Sequence, residues 1–171
     1  MRRNEGNSAF YSQTDFREWR FNKGDHLPFD SEAFSFAYSE HVLEHFRYDV
    51  ACDLMRECHR VLRENGVFRI VVPDADYRTY EAVESVGFPS TQLPFTHPNK
   101  HKMRWNVYLL QTTLELLGFK AIPVVWTDDA GSFQKADLPS VYSGLEVDSQ
   151  LVLSLSYVQR PRSLIVDGVK I

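Results

Sequence analysis

Two stretches decide the fold: Leu27 to Phe46, LPFDSEAFSFAYSEHVLEHF, and Leu54 to Asp74, LMRECHRVLRENGVFRIVVPD. Phe34 to Ser39 (FSFAYS) carries aromatic β-formers and predicts a buried strand. Tyr48 to Arg63 predicts a helix, with Val50, Leu54, Glu57, Val61 and Leu62 placing apolar groups mostly on one face and charges opposite. Asn65-Gly66, a pair that accepts left-handed backbone, is the expected stop. Val67 to Val72 (VFRIVV) predicts a second strand, closed by Pro73-Asp74. A strand, helix, strand unit of this length builds a parallel pair.

Working outward, Tyr77 to Ser85 predicts a helical piece, followed by a Pro-rich loop, FPSTQLPFTHPNKHK. Trp105 to Leu117 predicts a second amphipathic helix ended by Gly118, and Ala121 to Trp126 a strand. A polar loop to about Gln150 precedes Leu151 to Val158 (LVLSLSYV), which reads as a long apolar strand. The terminal SLIVDGVKI, Ser163 to Ile171, reads as a short tail suited to an edge strand. Upstream, Gly24 to Phe29 is a turn and Arg17 to Asn22 (REWRFN) a candidate short strand, while residues 1–15 are polar and irregular. No repeat or low-complexity linker interrupts the chain. The expected organisation is an irregular segment over 1–23, with that possible edge strand, and one α/β domain over 24–171.

The 171 residues are 43% hydrophobic and 25% charged, enough for one core without disulfides or structural metal. A net charge of −4 gives no electrostatic reason to expect nucleic acid as a partner, although Lys100, Lys102 and Arg104 form a local basic cluster. Cys52 and Cys58 lie six apart on the expected helix and face different ways, so they should not pair. Unpaired thiols favour a reducing compartment, and the N-terminal MRRNEGNSAFYSQTDF has no apolar signal core. No run approaches the roughly 18 apolar residues of a membrane span. A cytoplasmic protein is expected.

The motif order resembles the S-adenosylmethionine-dependent methyltransferases of type 11, closest to those linked to cell-envelope polysaccharide synthesis. The residues that carry the resemblance run in order. They are an acidic Asp25, Leu27-Pro28-Phe29, the strand, Ser39-x-His41-x-Leu43-Glu44-His45, a helix ending Arg60-Val61-Leu62, and a strand ending Pro73-Asp74. His101-Lys102, a helix ending Leu116-Leu117-Gly118-Phe119 and the terminal SLIVDGVKI extend it over residues 24–171. The resemblance implies a class I methyltransferase sheet, Rossmann-like, with helices on both faces, and S-adenosylmethionine as cofactor. Two departures qualify it: nothing in Met1 to Asn22 matches the family's glycine-rich turn, and Phe34-Ser35 stands where the family has Phe-Asp. The expectation is therefore a truncated fold, without the first strand, first helix and second strand and without the acidic residue that holds the ribose.

By resemblance Asp25, with His26 beside it, sits where a carboxylate accepts from the adenine amino group; an aspartate after glycine is equally a turn residue. Ser39 and Glu40 end the strand where ligands meet open α/β sheets, and the resemblance puts the cofactor's amino acid portion there; a plain strand end is the alternative. His41, Glu44 and His45 share a face if helical and could converge on one ion. The H-x-x-E-H string also fits a metalloprotease pattern, rejected because it follows a strand and precedes a turn. Ubiquinone-pathway and small-RNA 2′-O-methyltransferases carry a metal-binding E-x-x-E-H at this place, the RNA enzymes adding a histidine from an HK segment. That resemblance adds His101 and suggests a quartet of His41, Glu44, His45 and His101 for zinc, manganese or a similar divalent metal. The alternative is that Glu44-His45 only caps and orients the following helix. Asp74 faces the same edge and could act on a substrate hydroxyl, or could simply mark a turn. Tyr77, Tyr80, Trp105 and Tyr108 could line a substrate pocket or fill the core.

Two functions follow. The first is methyl transfer to a hydroxyl or amine of a small molecule or glycan, not of a nucleic acid, with His41, His45 or His101 as general base or metal ligand. The second is a non-catalytic remnant serving as a binding or oligomerising module. An open, aromatic-rich FSFAYS edge would invite either Arg17 to Asn22 or a second copy, giving a homodimer.

Overall fold

The computed structural model describes residues 19–77, 94, 96–97, 99–137, 142–144 and 163–171. Strand β1, Phe34–Glu40, leads through a one-turn 3₁₀ helix, Leu43–His45, into helix α1, Tyr48–Val61. Then follow β2 (Leu62–Pro73), α2 (Val107–Leu116), β3 (Phe119–Thr127), β4 (Phe133–Lys135) and β5 (Ser163–Lys170). The sheet order is β1-β2-β5-β3-β4. β1 and β2 are parallel, as the strand, helix, strand pattern requires. The expected Tyr77–Ser85 helix beyond Tyr77, the Leu151–Val158 strand and residues 1–18 lie outside the described residues.

Three expectations are corrected. The helix ends at Val61, not at Asn65-Gly66: Leu62, 0% exposed with ψ 139°, enters β2 with no loop between. Asn65, at φ 59°, instead lies within β2, where the register jumps from Phe34 opposite Leu62 to Phe36 opposite Val67. A left-handed residue thus serves a strand irregularity here, another of its common uses.

The terminal tail is not an edge strand. β5 sits between β2 and β3, antiparallel to both, and Ser163 through Val169 are all buried. Its apolar residues serve two faces: Leu164 and Val166 join Phe68, Ile70 and Val72 beneath both helices, while Ile165 and Val169 join Val67 and Val71 on the other. A strand buried on both faces reads as a continuous apolar run rather than an alternating one. α1 and α2 pack against the first of these faces. On the second, Tyr142 covers part of the apolar surface.

The third correction concerns Trp19 to Asn22, which form no strand. Asn22 is drawn into a turn, its backbone N–H and side-chain amide both donating to Asp25 Oδ2, and the Phe21 ring meets Phe46. β1 therefore lies at the margin of the described sheet. The polar region after Trp126 also contains the short β4, hydrogen-bonded to β3. Cys52 and Cys58 are free and buried, and burial pushes the Cys58 thiol up to about 12. No helix among the described residues is long and apolar enough to cross a membrane.

Helix α1 pins the segment before β1. Glu57 Oε2 accepts from Leu27 N–H at 2.7 Å, His26 Nδ1 lies 3.0 Å from Oε1, and Arg60 donates to Glu57 and to the Leu27 and Phe29 carbonyls. The Arg60 hydrogen bonds, then those from Leu27 and His26, hold the Glu57 carboxyl at about 2 against an opposing effect of burial. A folded value below the unfolded one stabilises above the unfolded range, near 4.3, and that stability is lost as pH falls through the folded value. Glu57→Gln is expected to cost roughly 2 kcal/mol at neutral pH. Urea unfolding of both proteins should show the difference shrinking from about pH 4.5 toward about pH 2.

Gly168 lies opposite Phe68, where a Cβ would come within 3.0 Å of Phe119 Cδ1 and 3.2 Å of Leu114 Cδ2. Gly168→Ala is expected to lower the unfolding free energy by about 1–3 kcal/mol, read from denaturant midpoints at constant slope.

Candidate functional site

Parallel strands end together, so β1 and β2 deliver Ser39, Glu40, Pro73 and Asp74 to one edge. The ladder runs one step further, with His41 N–H donating to the Val71 carbonyl at 2.9 Å. His41 then takes φ 51°, a left-handed conformation uncommon for a non-glycine residue, and the chain turns sharply into the 3₁₀ helix. Fully buried Leu43 anchors that turn in the core.

A second segment is clamped to the same turn. The Glu44 carbonyl accepts from Lys102 N–H at 2.7 Å and Met103 N–H at 3.2 Å, which brings His101 beside His45, ring centroids 4.9 Å apart. From β5, Ser163 lies opposite Pro73, its Oγ 3.3 Å from His41 Nε2. Nothing in the sequence marked Ser163, because its tail reads as a peripheral strand.

The expected helical face of His41, Glu44 and His45 is replaced by this tighter geometry. One ligand atom each from Glu44, His45 and His101 lie within 4.8 Å of one another. His41 stands outside that trio. It approaches Glu44 instead, Nδ1 lying 3.1 Å from Oε1, and His45 Nε2 is 3.9 Å from the same oxygen. Glu44 is 1% exposed, yet neither of its carboxylate oxygens accepts a well-aligned hydrogen bond. Ser39 Oγ, His45 Nδ1 and Trp105 Nε1 are likewise buried without one. An unsatisfied buried polar group costs roughly 1–3 kcal/mol, so buried groups of this kind ordinarily take a partner, protein, water or ligand.

The remaining candidates are placed differently. Asp25 is held in its turn through Oδ2, and His26 is largely exposed beside Glu57. Glu40 is exposed and accepts from the Tyr38 hydroxyl at 2.9 Å. Asp74 is buried with both oxygens engaged, Oδ2 by Thr127 N–H at 2.7 Å and Oδ1 by Asp76 N–H at 3.1 Å. Burial raises its pKa and these hydrogen bonds oppose the rise. It joins the end of β2 to the end of β3, the work of a positioning residue. Trp105 is fully buried in the core and forms a bridge with Asp74, whereas Tyr108 is mostly exposed and Tyr80 lies outside the described residues.

A family model described as a methyltransferase domain matches residues 3–70, beginning upstream of the expected start at Gly24. No curated protein matches the chain. Among solved structures, a SAM-dependent methyltransferase from Archaeoglobus fulgidus superposes with a TM-score of 0.50 at 16% identity, over 83% of this chain and 62% of that one. A Thermotoga maritima protein, named a SAM-dependent methyltransferase and possible histamine N-methyltransferase, gives 0.49 at 14% identity over 85% and 60%. The chain thus spans about three-fifths of the length of these structures. Its fold is that of the class I S-adenosylmethionine-dependent methyltransferases, a mixed Rossmann-like sheet with helices packed on it.

Asp74→Ala removes both acceptors and strands two backbone donors, one of them on buried Thr127, whereas Asp74→Asn keeps one acceptor. The alanine variant is expected to lose about 2–4 kcal/mol and the asparagine variant about half of that, by chemical denaturation at neutral pH.

Proposed function

We propose that this chain contributes to S-adenosylmethionine-dependent methyl transfer, with the carboxyl edge of β1 and β2 as its reaction site. The observation that carries the proposal is the gathering of buried, unsatisfied polar atoms at that edge of a class I methyltransferase fold. The residues present fit the cofactor's amino acid end: the buried Ser39 hydroxyl has no partner, and Glu40 offers an exposed carboxylate next to it. Asp25 fits less tightly, because Oδ2 already accepts twice from Asn22, leaving Oδ1 for an amino donor. His26 lies next to it in the segment fixed by Glu57.

When bound, the cofactor supplies an electrophilic methyl group on a sulfonium. The chain's part is to orient the acceptor and receive its proton. His41 suits the second task. Its Nδ1 faces the buried Glu44 carboxylate, an arrangement that favours the tautomer with basic Nε2, and Nε2 points toward Ser163 Oγ at the edge. The acceptor we infer is a hydroxyl or amine of a small molecule or glycan; a net charge of −4 offers a polyanion little attraction. Free buried thiols accord with a cytoplasmic setting.

Isothermal titration with S-adenosylhomocysteine tests the proposal. Binding of one molecule per chain, with a Kd on the order of micromolar, is expected, and Ser39→Ala should weaken it about tenfold. Absence of both heat and thermal shift at millimolar ligand would exclude a cofactor site in this chain.

A further inference from the structure

We infer that Ser163, His41 and Glu44 form a nucleophile, base and carboxylate relay at the edge of the sheet, competent for acyl transfer from small activated esters. This activity goes beyond methyl transfer and does not depend on the cofactor, although His41 serves as the base in both.

The geometry carries the inference. His41 stands between the other two side chains, with Nε2 3.3 Å from Ser163 Oγ and Nδ1 3.1 Å from Glu44 Oε1. An imidazole that offers its Nδ1 proton to a carboxylate keeps Nε2 basic and aimed at the hydroxyl, which is how a serine becomes a nucleophile. Such a relay is recognised by distances and roles, whatever the order of its members along the chain. The Glu44 contact is short but off line, as catalytic hydrogen bonds often are before a substrate enters.

Backbone rather than side-chain freedom sets these positions. Ser163 lies in β5 opposite Pro73, in the same ladder that places Asp167 opposite Arg69. His41 is held by its N–H bond to the Val71 carbonyl and leaves the strand at φ 51°. Left-handed backbone in a non-glycine residue is costly and gathers at functional sites. Glu44 and Ser163 are 1% and 4% exposed, whereas the His41 side chain retains 14%. Approach is therefore from the His41 side and narrow, which favours a small acyl group such as acetyl. If the serine hydroxyl only satisfied the histidine ring, the buried carboxylate at the other ring nitrogen would have no role.

In the reaction, Ser163 Oγ attacks the ester carbonyl carbon while its proton passes to His41 Nε2. The tetrahedral adduct collapses, the bond to the leaving oxygen breaks, and that oxygen takes the proton from His41. Water then attacks the acyl-serine and gives its proton to His41, which returns it to Ser163 Oγ as the carboxylic acid departs. An ester with a good leaving group asks least of the site beyond the nucleophile and its base.

The test treats the full chain with diisopropyl fluorophosphate and maps the adduct by peptide mass spectrometry, alongside hydrolysis of p-nitrophenyl acetate. A single adduct on Ser163 is expected, with loss of ester hydrolysis in step with labelling. Ser163→Ala should abolish labelling. His41→Asn, chosen because asparagine accepts left-handed backbone, and Glu44→Gln should each slow it at least about 100-fold. Circular dichroism identifies any variant that fails to fold; in that event the position of the adduct in the wild-type chain decides. No adduct, an adduct elsewhere, or ester hydrolysis undiminished in folded Ser163→Ala overturns the inference. S-adenosylhomocysteine titration of the wild-type chain reports on the methyl-transfer proposal alone, so the two can fail separately.

Discussion

The rest of the structure depends on one ion pair. Arg69 and Asp167 are both 0% exposed, and Arg69 Nε and Nη2 donate to the two Asp167 oxygens at 2.7 and 2.6 Å. They sit directly opposite each other in the β2–β5 ladder. A one-residue slip would turn one charge to the helix-covered face and leave the other buried and unpaired, an error of about 3–5 kcal/mol. The Tyr142 hydroxyl also donates to Asp167, and burial first, then the carboxylate, drives its pKa upward. A well-packed hydrophobic pair of similar volume is often as stable, but it would tolerate alternative registers. The register so fixed has a consequence four residues away. Ser163 falls opposite Pro73, with its hydroxyl within reach of His41.

This pair also explains which part of the fold was legible in the sequence. The β1, α1, β2 unit could be read because each element shows its own period, and α2 because an amphipathic stretch ends at Gly118, φ +88°. The central position of β5 could not, since Asp167 and Gly168 look like the polar end of a fading strand. Their logic appears only across the sheet, where Asp167 meets Arg69 and Gly168 makes room for Phe119. The Asn65-Gly66 pair misled for a related reason. A left-handed residue announces a break in regular backbone, not whether a helix or a strand is the element being broken.

The site was legible as a set of residues but not as an arrangement. His41, Glu44, His45 and His101 all stand at the carboxyl edge, yet their spacing suggested a helical face that does not form. A helix starting at His41 would conflict with the left-handed backbone of that residue, φ 51°. The chain leaves the strand through a left-handed His41 and a 3₁₀ turn, which divides the four residues into one facing Ser163 and three facing each other. Asp74 shows the reverse case. Its position at a strand end suggested chemistry, while its two oxygens serve the backbone of neighbouring segments.

Glu44 is where these threads meet. Its carbonyl fixes the 101–103 segment, its Oε1 faces His41 on one side and His45 on the other, and its burial leaves no solvent to screen it. Because both imidazoles address the same oxygen, the 3₁₀ turn rather than either strand decides how the polar side chains at this edge are arranged.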